Sequence, residues 1–357
     1  MPVTVIGWLA PRVTSEIMAP RGPAFSYEVL TQTARVHEQA DFDRVLIGYF
    51  SDAPDGFIIG ALAAQVTERL GMLLAHRPGF VAPTLAARKL ATLDQLSAGR
   101  LAVHIISGGS DADQARDGDY ASHGERYRRS AEYIEVLKRT WTETAPFDHA
   151  GEFYRVDGAL ADIGCVQQPH IPVYGGGGSQ AAIDTLSAHL DVFMLWGEPL
   201  AATAQFMQRV SAAAASNPLT FSLSTRPIVA DTEGQAWDRA RDILQRIKAR
   251  LPDGAPKREN VGSLRLLDAA AESEVHDSCL YTALAAASGA AGNSTALVGT
   301  PDTVAQALLK YYELGATQLL VRGYDPLNDA RQFGEALIPK VRELVAASDR
   351  AQATEQT

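Results

Sequence analysis

A chain of 357 residues, 46% of them hydrophobic and 21% charged, has the makeup of a globular protein with a large buried core. A formal net charge of −10 argues against nucleic acid as a main partner, because phosphate backbones are held by clustered Lys and Arg. Two cysteines, Cys165 and Cys279, make no disulfide framework, and no apolar stretch approaches the ~18 residues that would suggest a membrane span.

The N-terminal residues Met1–Ala10 carry no basic leader before their apolar run. They read as a first strand instead of a secretion signal, so a cytoplasmic protein is expected. Seven further β-rich runs follow: Arg44–Tyr49, Leu70–His76, Leu101–Ser107, Ile171–Gly175, Val192–Trp196, Thr220–Val229 and Thr317–Arg322. Helical periods lie between them, over Tyr27–Ala40, Pro83–Ser97, Glu125–Thr142, Gln180–His189, Leu200–Ala215, Glu233–Arg250, Pro301–Leu314 and Pro326–Ala346. Near-continuous apolar strands alternating with helices imply a parallel sheet covered by helices. Eight such units predict an α/β fold, a (β/α)8 TIM barrel, with a doubly wound open sheet as the runner-up. Pro83 suits a helix start, and Gly99 a helix end.

The chain reads as one domain over 1–349, with an insertion at 251–300 before the last βα unit and a frayed polar tail at 350–357. The insertion is rich in Ala, Gly, Ser and Asn. Few large anchors and a place at the barrel rim predict a mobile lid, from which Arg265 would close over an anionic ligand.

In such a barrel the chemistry sits where the strands end. The residues there form a ring of Arg12, Tyr49, His76, Arg77, Ser107, Gly175–Ser179, Trp196, Arg226 and Tyr324. This ring offers no carboxylate pair suited to glycoside hydrolysis and no metal-binding spacing among its histidines, so no metal is expected. Gly175-Gly176-Gly177-Gly178-Ser179 follows a strand and opens a helix. Free backbone N–H groups at such a turn bind phosphate, and Ser179 can also cap the helix. His123 and Tyr127, four apart at a helix start, share one face.

These residues, with their surroundings, resemble the bacterial luciferase-like flavin monooxygenases, and within them the alkanesulfonate monooxygenase branch. The matching segments are His76–Gly79, Ala82–Arg88, Ala91–Arg100, Ser107–Asp111, His123–Tyr127, Gln167–Pro169, the glycine run to Ser179, Leu195–Pro199, Thr295–Gly299 and Gly323-Tyr324. They occur in the family's order along nearly the whole chain.

The resemblance implies a barrel with a mobile lid. It implies reduced FMN (FMNH2) supplied by a separate NAD(P)H-dependent flavin reductase, with O2 as co-substrate and a homo-oligomeric assembly. In the sulfonate branch the reaction cleaves a C–S bond, releasing sulfite and an aldehyde. By position, His123, Tyr127, Gly177, Gly178 and Ser179 would hold the FMN phosphate. His76 and Ser107 would lie along the flavin, and Arg226, Tyr324 and Trp196 would serve catalysis, with Tyr49 and Arg265 near the substrate. Where the sulfonate enzymes carry a cysteine this chain has Ala53, and where they carry an arginine and a histidine after strand 7 it has Ser224 and Arg226. Arg226 is therefore expected to bind an anionic substrate group, unless Asp52, Asp55 or Glu198 pairs with it. Two other readings stay open: an oxidoreductase of the same superfamily using the deazaflavin F420, and a flavin-binding protein without catalysis.

Overall fold

The computed structural model describes residues 3–20, 22–215, 217–256, 258 and 260–355. Eight parallel strands close a barrel: β1 (Thr4–Leu9), β2 (Arg44–Ile47), β3 (Gly71–His76), β4 (Leu101–Ile105), β5 (Val173–Gly176), β6 (Val192–Trp196), β7 (Thr220–Val229) and β8 (Gln318–Val321). Each pairs with its successor, and Thr4 pairs with Gln318 to complete the ring. The closed barrel follows the expected alternation, and every strand lies within a run read from the sequence except β5, which runs one residue further, to Gly176.

Alternation along the strands sorts the side chains. Val5, Val45, Met72, Leu74, Val103, Leu223 and Leu319 face the helices in the main core. Ile6, Leu46, Leu73, Ala102, Tyr174, Val192 and Leu320 fill the barrel interior. Trp8, Tyr49, Ile106 and Met194 pack on that inner cluster and are half-buried.

A short helix at Asp111–Arg116 and three larger features lie outside the sequence expectation. A helix at Gly56–Val66 joins β2 to β3. Its sequence, GFIIGALAAQV, is apolar almost throughout, so it shows no amphipathic period to read. A small antiparallel hairpin of 147–150 and 155–159 follows the long helix His123–Thr142. The third feature is the 251–300 segment, which is structured: helix Val261–Glu272, a short hairpin of Val275–His276 and Leu280–Tyr281, helix Ala283–Ser288 and strand Ala296–Gly299. Leu266, Leu280, Tyr281, Leu284 and Leu297 are buried, so the expectation of few apolar anchors is corrected.

That extension hangs on β7. Up to Thr225, β7 pairs with β6 or β8 in the barrel. From Arg226 to Val229 it pairs with Ala296–Gly299 instead. The final helix, Ile338–Glu355, runs through the tail expected to fray from Arg350. Arg350, Ala351, Gln352 and Ala353 are all good helix formers. Positions 356 and 357 lie outside the described residues. No helix among the described residues is long and apolar enough to cross a membrane.

Candidate functional site

At the rim of β4 and β5, two chain segments meet. The helix His123–Thr142 begins with a capping box between Ser122 and Glu125, which fixes the direction of its first turn. That turn presents the exposed His123 edge-on to Tyr127, ring centroids 4.8 Å apart. Tyr127 is buried, with the Ser179 side chain next to its hydroxyl. Ser179 also accepts from the Ala182 amide at 3.2 Å, capping its own helix. An added Cβ on Gly177 would stand 2.6 Å from the Tyr127 hydroxyl, and one on Gly178 2.8 Å from the Gly262 amide nitrogen. Only glycine fits at these two places, and the result is a shallow cradle lined by donors.

Charge in the cradle is set by the buried Arg126. Its guanidinium reaches Asp111 at 2.7 Å and the Ala121 carbonyl at 2.6 Å, and lies 3.3 Å from His123 Nδ1. An arginine only donates, so Nδ1 accepts and Nε2 carries the hydrogen, free to donate outward. Partial burial and then the Arg126 charge hold the His123 pKa below its ordinary value. Burial raises that of Tyr127, against the pull of Ser179 and Arg126. Both side chains are thus neutral donors near pH 7.

The inserted helix sits beside this cradle. Gly262 lies against Gly178 and against the Trp196 ring, which an added Cβ would approach to 2.9 Å. Arg265 does not stand free to close on a ligand. It forms a two-pronged ion pair with Glu198, Nε to Oε1 at 2.8 Å, and its guanidinium carbon lies 4.7 Å over the Phe206 ring. Tyr49 forms part of another wall. Its hydroxyl donates to Asp117 at 3.2 Å, and Arg77, paired with Asp113 and Asp117, stacks on its ring at 4.5 Å.

Several expected residues lie elsewhere. His76 and Ser107 point outward, into the helical layer. His76 Nε2 is 2.7 Å from the Tyr133 hydroxyl, which itself donates to the Val81 carbonyl at 3.0 Å. Ser107 pairs with Ser130 at 2.9 Å. Their side chains do not line the mouth, because the residues alternating with them, Ala75 and Ile106, face inward.

Arg226 requires the clearest correction. It is fully buried and its fork is engaged by Glu16, at 2.8 and 2.9 Å. Its Nε donates to the Arg322 carbonyl at 2.7 Å and its Nη2 to the Gly323 carbonyl at 3.0 Å, while its guanidinium stacks on Tyr324 at 3.9 Å. Tyr324 is buried among Ile228, Tyr281, Leu284 and Val298. The physical reason is the length of β7: barrel pairing ends at Thr225, so Arg226 falls past the rim. None of Asp52, Asp55 and Glu198 is its partner.

What lines the mouth is an apolar platform of Trp8, Ile106 and Met194, with the exposed Phe50 at the edge, the histidine His104 and the buried serines Ser222 and Ser224. Arg322, directly after β8, stacks on Trp8 with its guanidinium carbon 4.8 Å from the ring centroid. Trp8 and Arg322 were missed from sequence. Inward alternation through Ile6 and Trp8, and through Leu320 and Arg322, is the signal that marks them. Among the described residues no group of three His, Cys, Asp or Glu is placed to hold a metal.

A closed parallel barrel with a glycine-rich turn opening a helix at one rim and an apolar mouth is the frame of an α/β-barrel enzyme. The chain belongs to the luciferase-like monooxygenase family, whose model matches residues 4–318. Among solved structures it is similar to an EDTA monooxygenase from Chelativorans sp. BNC1, at 17% identity over 96% of this chain and 94% of that one, with a TM-score of 0.76. It is also similar to the oxygenating constituent of 3,6-diketocamphane monooxygenase from Pseudomonas putida, in complex with FMN, at 18% identity over 97% and 99%, TM-score 0.67. An F420-dependent secondary alcohol dehydrogenase shares the fold at 16% identity over 96% and 99%, TM-score 0.68.

Proposed function

We propose that this chain is the oxygenase of a two-component system. It takes reduced FMN from a separate NAD(P)H-dependent flavin reductase and uses O2 to oxidise a small organic substrate. The observation that carries this reading is the cradle of His123, Tyr127, Gly177, Gly178 and Ser179 beside an apolar mouth. Neutral donors and two glycines without room for a Cβ suit a phosphate monoester approached by backbone. Trp8, Ile106 and Met194 suit a flat ring system. The residues therefore fit FMN, which in its reduced form would supply the reducing equivalents for oxygen activation. The chain's own part is to hold the phosphate, seat the ring and exclude water.

The first substrate class to test is an organosulfonate. One sulfonate, one reduced FMN and one O2 would give one aldehyde, one sulfite, oxidised FMN, water and a proton. The assay supplies the chain with FMN, a flavin reductase and NADH, and measures sulfite release across a sulfonate panel. A parallel arm offers reduced F420 with a carbonyl substrate. Sulfite supports the reading, and turnover only in the F420 arm replaces it. Neither activity, with FMN still bound, leaves a flavin-binding protein. The exposed Ile58 and Leu85, on helices Gly56–Val66 and Pro83–Leu96, are consistent with a homo-oligomer.

Two outcomes test the cofactor site and the lid. Tyr127→Phe removes one donor to a charged phosphate and should weaken FMN binding by about 1.5–3 kcal/mol, measured by flavin fluorescence titration. Unchanged affinity would place the phosphate elsewhere. Arg265→Met breaks the tie between the inserted helix and Glu198, a partly exposed pair whose loss costs about 1 kcal/mol or less. In the lid reading, that loosening should raise the hydrogen peroxide released per NADH oxidised, because water reaches the flavin. Identical coupling in the variant would mark the extension as decoration.

A further inference from the structure

Arg322 is a guanidinium of the barrel mouth that enters no ion pair among the described residues. Its position follows from β8. Leu320 lies in the interior cluster, so two residues on the side chain again points inward, where it meets the Trp8 ring at 4.8 Å. Among the described residues no carboxylate lies within ion-pair distance of it, and its Nε is buried without a hydrogen-bond partner. The carboxylate that bears on it, Glu16, has both oxygens committed to Arg226. That pair is neutral as a unit, so Arg322 adds one uncompensated positive charge to the mouth.

A charge in this state is expensive to bury. Burial first, and then the like charge of Arg226, lower its pKa to about 10, so it remains a cation at neutral pH. A fold that keeps a cation without an ion-pair partner, against the Trp8 ring, leaves its planar fork open to an anion from outside. The cradle for the flavin phosphate lies at β4 and β5, across the barrel from β8, so the phosphate end of the cofactor is not that anion.

We propose that Arg322 receives the negatively charged group of the substrate, an oxyanion such as a sulfonate or carboxylate, seated beside Trp8 in the barrel mouth. The serines Ser222 and Ser224, buried on the inner face of the neighbouring strand β7, offer further donors on the same side. This assignment rests on the oxygenase reading for the word substrate, but the anion site itself does not. It transfers the recognition role from Arg226, which is fully used inside the protein, to a residue that is not.

The test is a titration of the full chain, with and without FMN, using 1-butanesulfonate and the uncharged butyl methyl sulfone, followed by tryptophan fluorescence. The sulfonate should bind at least tenfold more tightly than the sulfone. Arg322→Met should erase that preference, Arg322→Lys should keep part of it, and the affinity for reduced FMN should stay within twofold in both. Arg322→Gln serves in the same way if the methionine variant does not fold. Equal sulfonate binding in wild type and Arg322→Met would overturn the proposal. So would a matching loss of reduced-FMN affinity, which would mean that the cation serves the flavin ring. An Arg322-dependent anion preference in a chain that shows no oxygen-dependent turnover would keep the anion site and remove the oxygenase reading.

Discussion

Glu16→Gln should destabilise the protein by about 3–5 kcal/mol, because it leaves the Arg226 guanidinium buried and unpaired. The pair joins the loop after β1 to the strand that leaves the barrel, and Arg226 also holds the carbonyls of Arg322 and Gly323. Denaturant unfolding followed by circular dichroism measures the loss. Arg226→Met should cost less than Glu16→Gln, since the carboxylate it leaves unpaired is 23% exposed while the guanidinium is 2% exposed, although the two carbonyls lose their donor. A Glu16→Gln variant within 1 kcal/mol of wild type would mean that the pair is idle. Burial alone would raise the Glu16 carboxyl, but the charge and hydrogen bonds of Arg226, with help from Arg322, hold it well below the usual carboxylate range. Its contribution is therefore present above about pH 4.5 and is lost as the pH falls below that, through the folded-state value.

A second large effect comes at milder acidity. Two histidines are almost fully buried and neutral: His37, with Nδ1 donating to the Thr33 carbonyl at 2.8 Å, and His76, held by Tyr133. Burial lowers both to about 4, with Lys89 adding to the effect at His76. In the unfolded chain each takes up a proton near pH 6.5, and in the fold each does so only near 4. Stability is therefore complete above pH 6.5 and falls between 6.5 and 4, with a slope approaching about 2.7 kcal/mol per pH unit for the two together and about half as much again from His104, which burial also lowers to about 4. Midpoints of urea unfolding at pH 7, 6, 5 and 4.5 read this slope. His76→Gln should flatten it by about a third, since His37 and His104 would still titrate. A curve flat down to pH 5 would mean that these rings are solvated.

The histidine reading shows where sequence reasoning worked and where it stopped. The barrel was legible because apolar strands and amphipathic helices alternate, with punctuation at Pro83 and Gly99. The meeting of His123, Tyr127 and Ser179 was legible because its parts are local: a glycine run into a helix, and an i,i+4 pair. The inward or outward aspect of His76 and Ser107 depends on strand phase, and an error of one residue reverses it. Arg226 failed for a different reason. The point where β7 leaves the barrel is set by pairing with Ala296–Gly299, and its partner Glu16 lies in a loop at the other end of the chain. No local pattern joins those two residues. Arg322 was in view at the end of β8, but its importance lies in a missing partner, which only the assembled structure reveals.

The pairing of Thr4 with Gln318 also bears on how the chain is made. During synthesis β1 emerges first and β8 near the end, so one side of β1 waits without its neighbour for almost the whole length of translation. An apolar parallel strand left open in this way is a ready template for another chain. The ring cannot close on any truncated nascent form lacking Gln318–Val321. Such fragments would leave the same edge open at β7, where the barrel half of that strand needs β8 on its other side. Premature termination anywhere before β8 therefore yields a sheet with two adhesive edges in place of a smaller working barrel, and interrupted translation becomes an aggregation hazard for the cell.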